Sequence, residues 1–456
     1  MKKIILLLLA VPFFATAQST DDSIFIKKIS DEILSNGKAY DLLHQLTKQI
    51  GGRLAGSPQF AKAVQWGQSS MQLMGADTVY LQQCMVPHWV RGGKDKVEII
   101  ATGNTKSSTP LDALALGNSL GSAGKVVSAE VLAVADFADL EKRKNEVKGK
   151  IVYYNYAFNP TYIIPGQAYG ETGVYRRNGP SRAAKYGAVA VLIRSLTEAT
   201  DNNPHTGAMA YNDSFPKIPA AALGYADADK LWYLAQKSTV KISLSTNAHF
   251  LPDTIGHNVI AELRGTEFPD QYITIGGHLD SWDVNEGAHD DGAGVVHTIE
   301  VMRALKALGY QPKHSIRFVL FANEENGLRG GEKYAEVAKA KNEKHIFALE
   351  SDEGGFTPRG FGFTMNATQL QKVQSWLPLL KPYGTADLSN GGGGADIGPL
   401  AKKMQTPIAG LTPDNQRYFD IHHARSDVFE AVNKRELLLG AVNMTALIYL
   451  IDKYGL

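Results

Sequence analysis

Apolar residues at the start of the chain recur at helical spacing. Ile24, Ile26, Ile29 and Ile33, then Leu42, Leu43, Leu46 and Ile50, fall mostly three or four positions apart between Asp21 and Gly75. That spacing predicts amphipathic helices, the second closed by Gly51-Gly52. Between Leu111 and Leu251 the texture changes to short β-like runs, such as Lys125 to Val134 and Ile151 to Tyr154. A helix-like stretch, Ser181 to Tyr186, leads through Gly187 into the apolar run Ala188 to Ile193, and turn residues follow at Asp201-Asn202-Asn203-Pro204. This stretch reads as a separate β-rich module.

From Ile255 onward buried strands alternate with amphipathic helices. Tyr272 to Gly276, Ile316 to Ala322 and Ile346 to Leu349 have the apolar character of strands covered on both faces. Helices are predicted over Gly294 to Leu308 and Gly330 to Ala340, and Val295, Ile299, Met302, Leu305 and Leu308 form one stripe of the first. The alternation predicts an α/β domain: a mixed, largely parallel sheet flanked by helices, with functional groups where strands end. Leu437 to Tyr454 reads as a closing amphipathic helix, and Ser389-Asn390-Gly391-Gly392-Gly393-Gly394 as a mobile loop, since no Gly-Lys-Ser/Thr follows to make a phosphate cradle.

The extreme N-terminus has its own pattern. Lys2 and Lys3 precede an apolar run from Ile4 to Phe14, and Ala15-Thr16-Ala17 then offers a small-x-small cleavage site, which predicts a signal peptide over residues 1–17. The run is shorter than the ~20 residues a spanning helix needs. The expected product is exported to the periplasm or the extracellular space, free of the membrane once cleaved. The chain divides on this reading into a leader (1–17), a first segment (18–110), the β-rich module (111–251) and the α/β segment that follows (252–456).

Composition narrows the chemistry. The 456 residues carry 47 Lys plus Arg against 46 Asp plus Glu, and loss of Lys2 and Lys3 leaves 45 against 46. Such a balance lacks the positive surplus on which non-specific nucleic-acid binding depends. The single cysteine, Cys84, supports neither an intrachain disulfide nor a sulfur-rich zinc site, so any metal must be held by His, Asp and Glu.

Those residues gather at predicted strand ends. His278-Leu279-Asp280 ends one strand, and His289-Asp290-Asp291-Gly292-Ala293-Gly294 opens the following helix. Asn323-Glu324-Glu325-Asn326-Gly327 ends a second strand, Ser351-Asp352-Glu353-Gly354 a third, and His422-His423-Ala424-Arg425-Ser426-Asp427 lies downstream. A two-metal hydrolase needs about three protein ligands per ion and a shared carboxylate holding the ions about 3.5–4 Å apart. The set satisfies this with His278 and Asp352 on one ion, Glu325 and His423 on the other, and Asp290 between them, His422 being the adjacent alternative. Imidazole and carboxylate donors suit two Zn2+, with Co2+ or Mn2+ as alternatives. Asp280 is placed to accept the second N–H of His278 and fix its tautomer. Glu324 is left without coordination duty, as a general base would be. Tyr418 is an oxyanion candidate by spacing.

These segments resemble the zinc-dependent M28 peptidases, in particular the plasma glutamate carboxypeptidase (carboxypeptidase Q) branch. The resemblance rests on Gly276-Gly277-His278-Leu279-Asp280-Ser281-Trp282-Asp283, Asp290-Asp291-Gly292-Ala293-Gly294, Glu324-Glu325-Asn326-Gly327-Leu328-Arg329-Gly330-Gly331, Glu350-Ser351-Asp352 and Tyr418-Phe419-Asp420-Ile421-His422-His423 closed by Asp427. It implies His278, Asp290, Glu325, Asp352 and His423 as ligands, the last because the family's ligand stands four residues before an Asp. It further implies Glu324 as base, a cis Asp290-Asp291 bond, a protease-associated domain as the inserted module, and a homodimer. The activity implied is that of an exopeptidase on dipeptides or short peptides. Asp396 is then the candidate for binding the substrate ammonium; Arg329, Arg417 or Arg425 for binding a substrate carboxylate, as in a glutamate-carboxypeptidase-type hydrolase. A catalytically silent receptor of the same fold is the contrasting expectation.

Overall fold

The computed structural model describes residues 20–456, and the leader expected over residues 1–17 lies outside them. Among the described residues the chain forms two eight-stranded sheets. The first runs, from edge to edge, Thr78–Val90, His249–Leu263, His314–Phe321, Phe268–His278, Lys344–Glu350, Ile408–Pro413, Pro358–Thr364 and Asp387–Asn390. Its four central strands, His314–Phe321 to Ile408–Pro413, pair in parallel. Antiparallel pairing joins Thr78–Val90 and His249–Leu263 at one side and Pro358–Thr364 at the other. The expected mixed α/β sheet is therefore present.

The central strands are buried throughout because both faces are covered. Ile316, Phe318 and Leu320 point into one core with Val295, Ile299 and Met302 of the helix Ala293–Ala307 and with Leu447 and Ile451 of the helix Lys434–Tyr454. Val319 and Phe321, on the alternate positions, meet Tyr334, Ala335 and Ala338 of the helix Arg329–Ala340. Lys434–Tyr454 is long and apolar enough to cross a membrane by length and composition, and 83% of its apolar window is buried inside the protein. The helices Thr20–Asn36 and Pro58–Leu73 add Ile26, Ile29, Ile33, Phe60 and Val64 to the first core. Ser57 starts the second of these, its hydroxyl accepting the Phe60 N–H at 3.1 Å with Pro58 at the first turn.

The second sheet begins at Lys96, ahead of the boundary at 111 drawn from texture, because Lys96–Thr102 and Thr105–Leu111 pair with Val240–Ser245 and with each other. It continues through Val127–Val134, Ile151–Tyr154, Ala190–Arg194, Ala220–Leu223 and Ala113–Ala115. It is less purely β than its sequence suggests. Helix Pro165–Ala184 covers one face, with Ala168, Tyr175 and Ala183 against Val152 and Ile193. Helix Tyr225–Lys237 covers the other, with Ala228 and Leu231 against Ile151 and Leu192. The 20-residue helix was legible only at its C-terminal end: Gly166, Gly170, Gly173, Gly179 and Pro180 give it poor intrinsic propensity, and packing on the sheet overrides that. Trp89 and Trp282 join the two units through a cluster with Leu54, Ala115 and Ala248.

Candidate functional site

The parallel strands deliver their C-terminal ends to one edge, where the acids and histidines meet. His278 is the last residue of Phe268–His278, and Asp352 follows Lys344–Glu350 by two residues. Glu324 and Glu325 follow His314–Phe321, after Asn323 turns the chain with a left-handed φ of 64°. Asp290 sits in the wide turn Ala288–Gly292 before the helix Ala293–Ala307, and the Asp290–Asp291 bond is cis, as the resemblance implied.

Asp290 lies at the centre. Its Oδ1 is 3.2 Å from His278 Nε2, which is also 3.2 Å from Asp352 Oδ1. Its Oδ2 is 3.2 Å from His423 Nε2, which is 3.1 Å from Glu325 Oε2. Each oxygen of one carboxylate thus faces a separate His–acid pair. His422 stacks on His423 with ring centroids 3.6 Å apart and, of the acids among the described residues, pairs with Asp290 alone, at 3.4 Å. His423 faces both acids, which favours it as the donor. Among the described residues no group hydrogen-bonds to the buried Asp290 Oδ2 or Glu325 Oε1. Burial opposes charge on His278, but Asp352 and Asp290 outweigh it and raise its pKa well above the usual imidazole range. Burial likewise opposes charge on Asp290, and the three histidines around it hold its carboxyl well below the usual carboxylate range. Converging imidazoles and carboxylates with orphaned oxygens fit divalent-cation binding, a cation replacing protons that the imidazoles would otherwise hold.

Groups outside the cluster hold it in place. Asp427 accepts the N–H of His289 at 2.7 Å and of Asp290 at 3.2 Å. Asp291 accepts the N–H of His278 at 3.0 Å and of Gly294 at 2.9 Å. Arg53, fully buried, donates to the carbonyls of Leu279, Glu286 and Gly287 at 2.6, 2.7 and 3.0 Å and straps the loop between strand and turn. The unit built on the second sheet also reaches the cluster: the His205 Nδ1–H donates to the His422 carbonyl at 2.7 Å, and the Thr206 N–H to the His423 carbonyl at 3.0 Å. Arg53, His205 and Thr206 escaped sequence reasoning because nothing in their local spacing relates them to the acids.

Other expected positions divide. His278 gives its Nδ1–H to the backbone carbonyl of Asp280 at 2.9 Å, while the Asp280 carboxylate stands 3.9 Å away. That carboxylate instead accepts the N–H groups of Glu324 and Glu325 at 3.0 and 3.3 Å, two amide donors turned toward it by the strand end. It therefore orients the Glu324–Glu325 turn rather than the imidazole directly. Glu324 and Tyr418 line a cleft of about 730 Å³ together with Asp290, Glu325, Asp352 and His423. Burial pushes the Glu324 carboxyl well above the ordinary glutamate range, with Asp352, Glu325 and Asp290 adding to the shift and His278 opposing it.

Asp396 does not line that cleft. The glycine run is open at Gly391 and close-packed at its end: a Cβ on Gly394 would stand 2.0 Å from Glu350 Cδ, so the chain turns inward there. Asp396 is consequently 1% exposed, both carboxylate oxygens without a partner, and its N–H points to Glu350 Oε1 at 3.4 Å. Arg425 also lies elsewhere. It is exposed and paired with Asp112, lining a separate hollow with Arg91 and Lys96. Arg329 lines another hollow beside Glu332 and Lys333, and Arg417 lies over Phe356 at 5.0 Å. The arginines that do line the cleft are Arg176 and Arg177, on helix Pro165–Ala184.

Residues 258–448 match the family model for peptidase family M28. The chain is 34% identical to carboxypeptidase Q of Mus musculus over 415 residues, covering 91% of this chain and 85% of that protein. It is similar to the crystal structure of a peptidase M28 precursor from Shewanella amazonensis, with a TM-score of 0.89 at 32% identity over 95% of this chain and 97% of the other. It shares its fold with a zinc aminopeptidase from Bacillus subtilis, with a TM-score of 0.65 at 19% identity over 90% of this chain and 93% of the other.

Proposed function

From the premise that the chain belongs to peptidase family M28, near the carboxypeptidase Q branch, and is a metallo-exopeptidase, we propose that it is an exported di-zinc enzyme that hydrolyses dipeptides or short peptides. The observation that carries this reading is the Asp290 carboxylate, whose two oxygens face His278 and Asp352 on one side and His423 and Glu325 on the other. Those five residues would hold the zinc pair. Zinc bound there supplies Lewis acidity, which polarises the scissile carbonyl and lowers the pKa of water. The N-terminal pattern of Lys2, Lys3 and the following apolar run supports export.

The remaining work falls to protein groups. Among the described residues Glu324 has no ion pair of the kind that Glu325 has with His423, and its carboxylate can take a proton from the attacking water and return it to the departing amine. The Asp280 carboxylate, holding the amides of Glu324 and Glu325, fixes the direction of both side chains. The Tyr418 side chain lines the same cleft and is available to the carbonyl oxygen as negative charge develops on it.

The test is metal analysis of the purified chain followed by a panel of free dipeptides, aminoacyl p-nitroanilides and N-acyl amino acids. About two zinc ions per chain and turnover of dipeptides are expected. A zinc-loaded chain that cleaves only the N-acyl amino acids would overturn the exopeptidase assignment, and a metal-free, inactive chain would favour a binding protein of the same fold.

A further inference from the structure

The turn that carries Glu324 is bounded by two non-glycine residues with left-handed backbone, Asn323 at a φ of 64° and Leu328 at 58°, and from Glu324 to Leu328 it lines the cleft. Few L residues sit easily in that region, so such a turn keeps its shape only where its surroundings hold it. The Asp280 carboxylate holds the near end through the amides of Glu324 and Glu325. The far end is held from across the cleft. Asn118, which lines the same cleft from the unit of the second sheet, donates from Nδ2 to the Asn326 carbonyl at 3.3 Å and accepts at Oδ1 from Asn326 Nδ2 at 3.2 Å. Asn326 Oδ1 accepts in turn from Asn323 Nδ2, and Asn323 Oδ1 accepts from the Arg329 N–H at 3.4 Å. One chain of amide groups therefore runs from the second unit to both ends of the turn.

Asn118 is itself fixed in place. Its φ is 64°, a conformation that asparagine tolerates better than most side chains do. Gly117 before it is pressed against the other unit, where a Cβ would stand 1.8 Å from Trp282 Cη2, and its N–H and carbonyl are bound to the Gly207 carbonyl at 3.0 Å and the Met209 N–H at 2.9 Å. Asn326 is 5% exposed, so little water competes for its bonds to Asn118. We propose that Asn118 is a positioning residue that acts through Asn326: it holds the Glu324–Glu325 turn so that the Glu324 carboxylate faces the cleft, and proton transfer by Glu324 thereby depends on the docking of the second unit. This rests on the reading of Glu324 as general base.

Two variants keep the left-handed backbone: Asn118→Gly removes the clasp, and Asn118→Asp keeps the acceptor but loses the donor. On Ala-Leu, zinc-loaded Asn118→Gly should lose about 10- to 100-fold in kcat with KM within about 2-fold of wild type and zinc content unchanged, and Asn118→Asp should lose less. Added to Glu324→Gln, Asn118→Gly should cost nothing further, because a residue that acts through the base has no effect once the base is gone. An equal loss in both backgrounds, a loss of zinc, or a change in KM alone would overturn the assignment. Hydrogen exchange of the full chain, read by mass spectrometry, is independent of turnover: amides from Glu324 to Leu328 should exchange faster in Asn118→Gly while the central strands stay protected, and unchanged exchange in the turn would overturn the clasp. Failure of the underlying readings shows separately. A wild type that leaves Ala-Leu intact sinks the exopeptidase reading, and a Glu324→Gln variant with wild-type turnover sinks the base; in either case exchange still decides whether Asn118 holds the turn.

Discussion

The Nδ1–H of His423 donates to the carbonyl oxygen of Thr206 at 3.3 Å, across 217 positions of sequence and between the two sheets of the protein. The other nitrogen of that ring faces Asp290 and Glu325. A main-chain carbonyl of the second unit thus selects the tautomer of a ligand candidate in the first unit, which is what a metal-binding imidazole requires. The second unit is part of the support of the site as well as its wall.

That relationship makes Gly207 sensitive. Its φ is 130°, and a Cβ there would lie 2.4 Å from Arg176 Nη1 and 2.7 Å from His423 Nδ1. Gly207→Ala is expected to weaken zinc binding by about 10- to 100-fold, the usual cost of disturbing a ligand's hydrogen-bond partner. Competition with a chelating dye measures this, and a thermal melt of the metal-free chain separates it from a general loss of fold.

Glu324→Gln removes proton transfer and leaves the shape of the side chain. Zinc content should stay at the wild-type level while kcat on a dipeptide falls by roughly 10²–10⁴-fold or more. Activity within a few-fold of wild type would exclude Glu324 as the base.

The neighbouring histidines should behave differently although they stack on each other. His423 approaches two acids and His422 one. His423→Asn should lose about one zinc per chain by atomic emission, whereas His422→Asn should keep both. The opposite result would exchange their roles.

A pH effect is expected at the other end of the sheet. Burial alone would raise the Glu343 carboxyl, but hydrogen bonds from His345 and Arg317 outweigh it and bring its pKa from 4.5 to about 2. A carboxyl depressed in the folded state contributes stability that is present above its unfolded pKa and is lost as pH falls through its folded one. The difference in unfolding midpoint between wild type and Glu343→Gln should therefore be widest above pH 4.5 and shrink steadily toward pH 2. A difference that does not change over that range would show that the contribution is not ionic.

Much of the site could be read without the fold. The helical and strand periods located Phe268–His278, His314–Phe321 and Lys344–Glu350, and the acids stood just beyond their ends. Parallel strands place their C-terminal ends on one edge, so local spacing was enough to bring His278, Asp290, Glu325 and Asp352 together, with Glu324 beside them. Packing decided the rest. It turned Asp396 inward behind Gly394, drew Arg425 to Asp112, assigned the Asp280 carboxylate to two backbone amides, and set His423 rather than His422 against Glu325. It also brought Arg176, Arg177 and Thr206 to the cleft from a unit whose main helix is obscured by glycine and proline. Periodicity and strand-end placement follow from the geometry of a few successive residues, which a sequence displays directly. The direction of a side chain and its partner hundreds of positions away depend on how distant segments pack, which only the assembled fold determines.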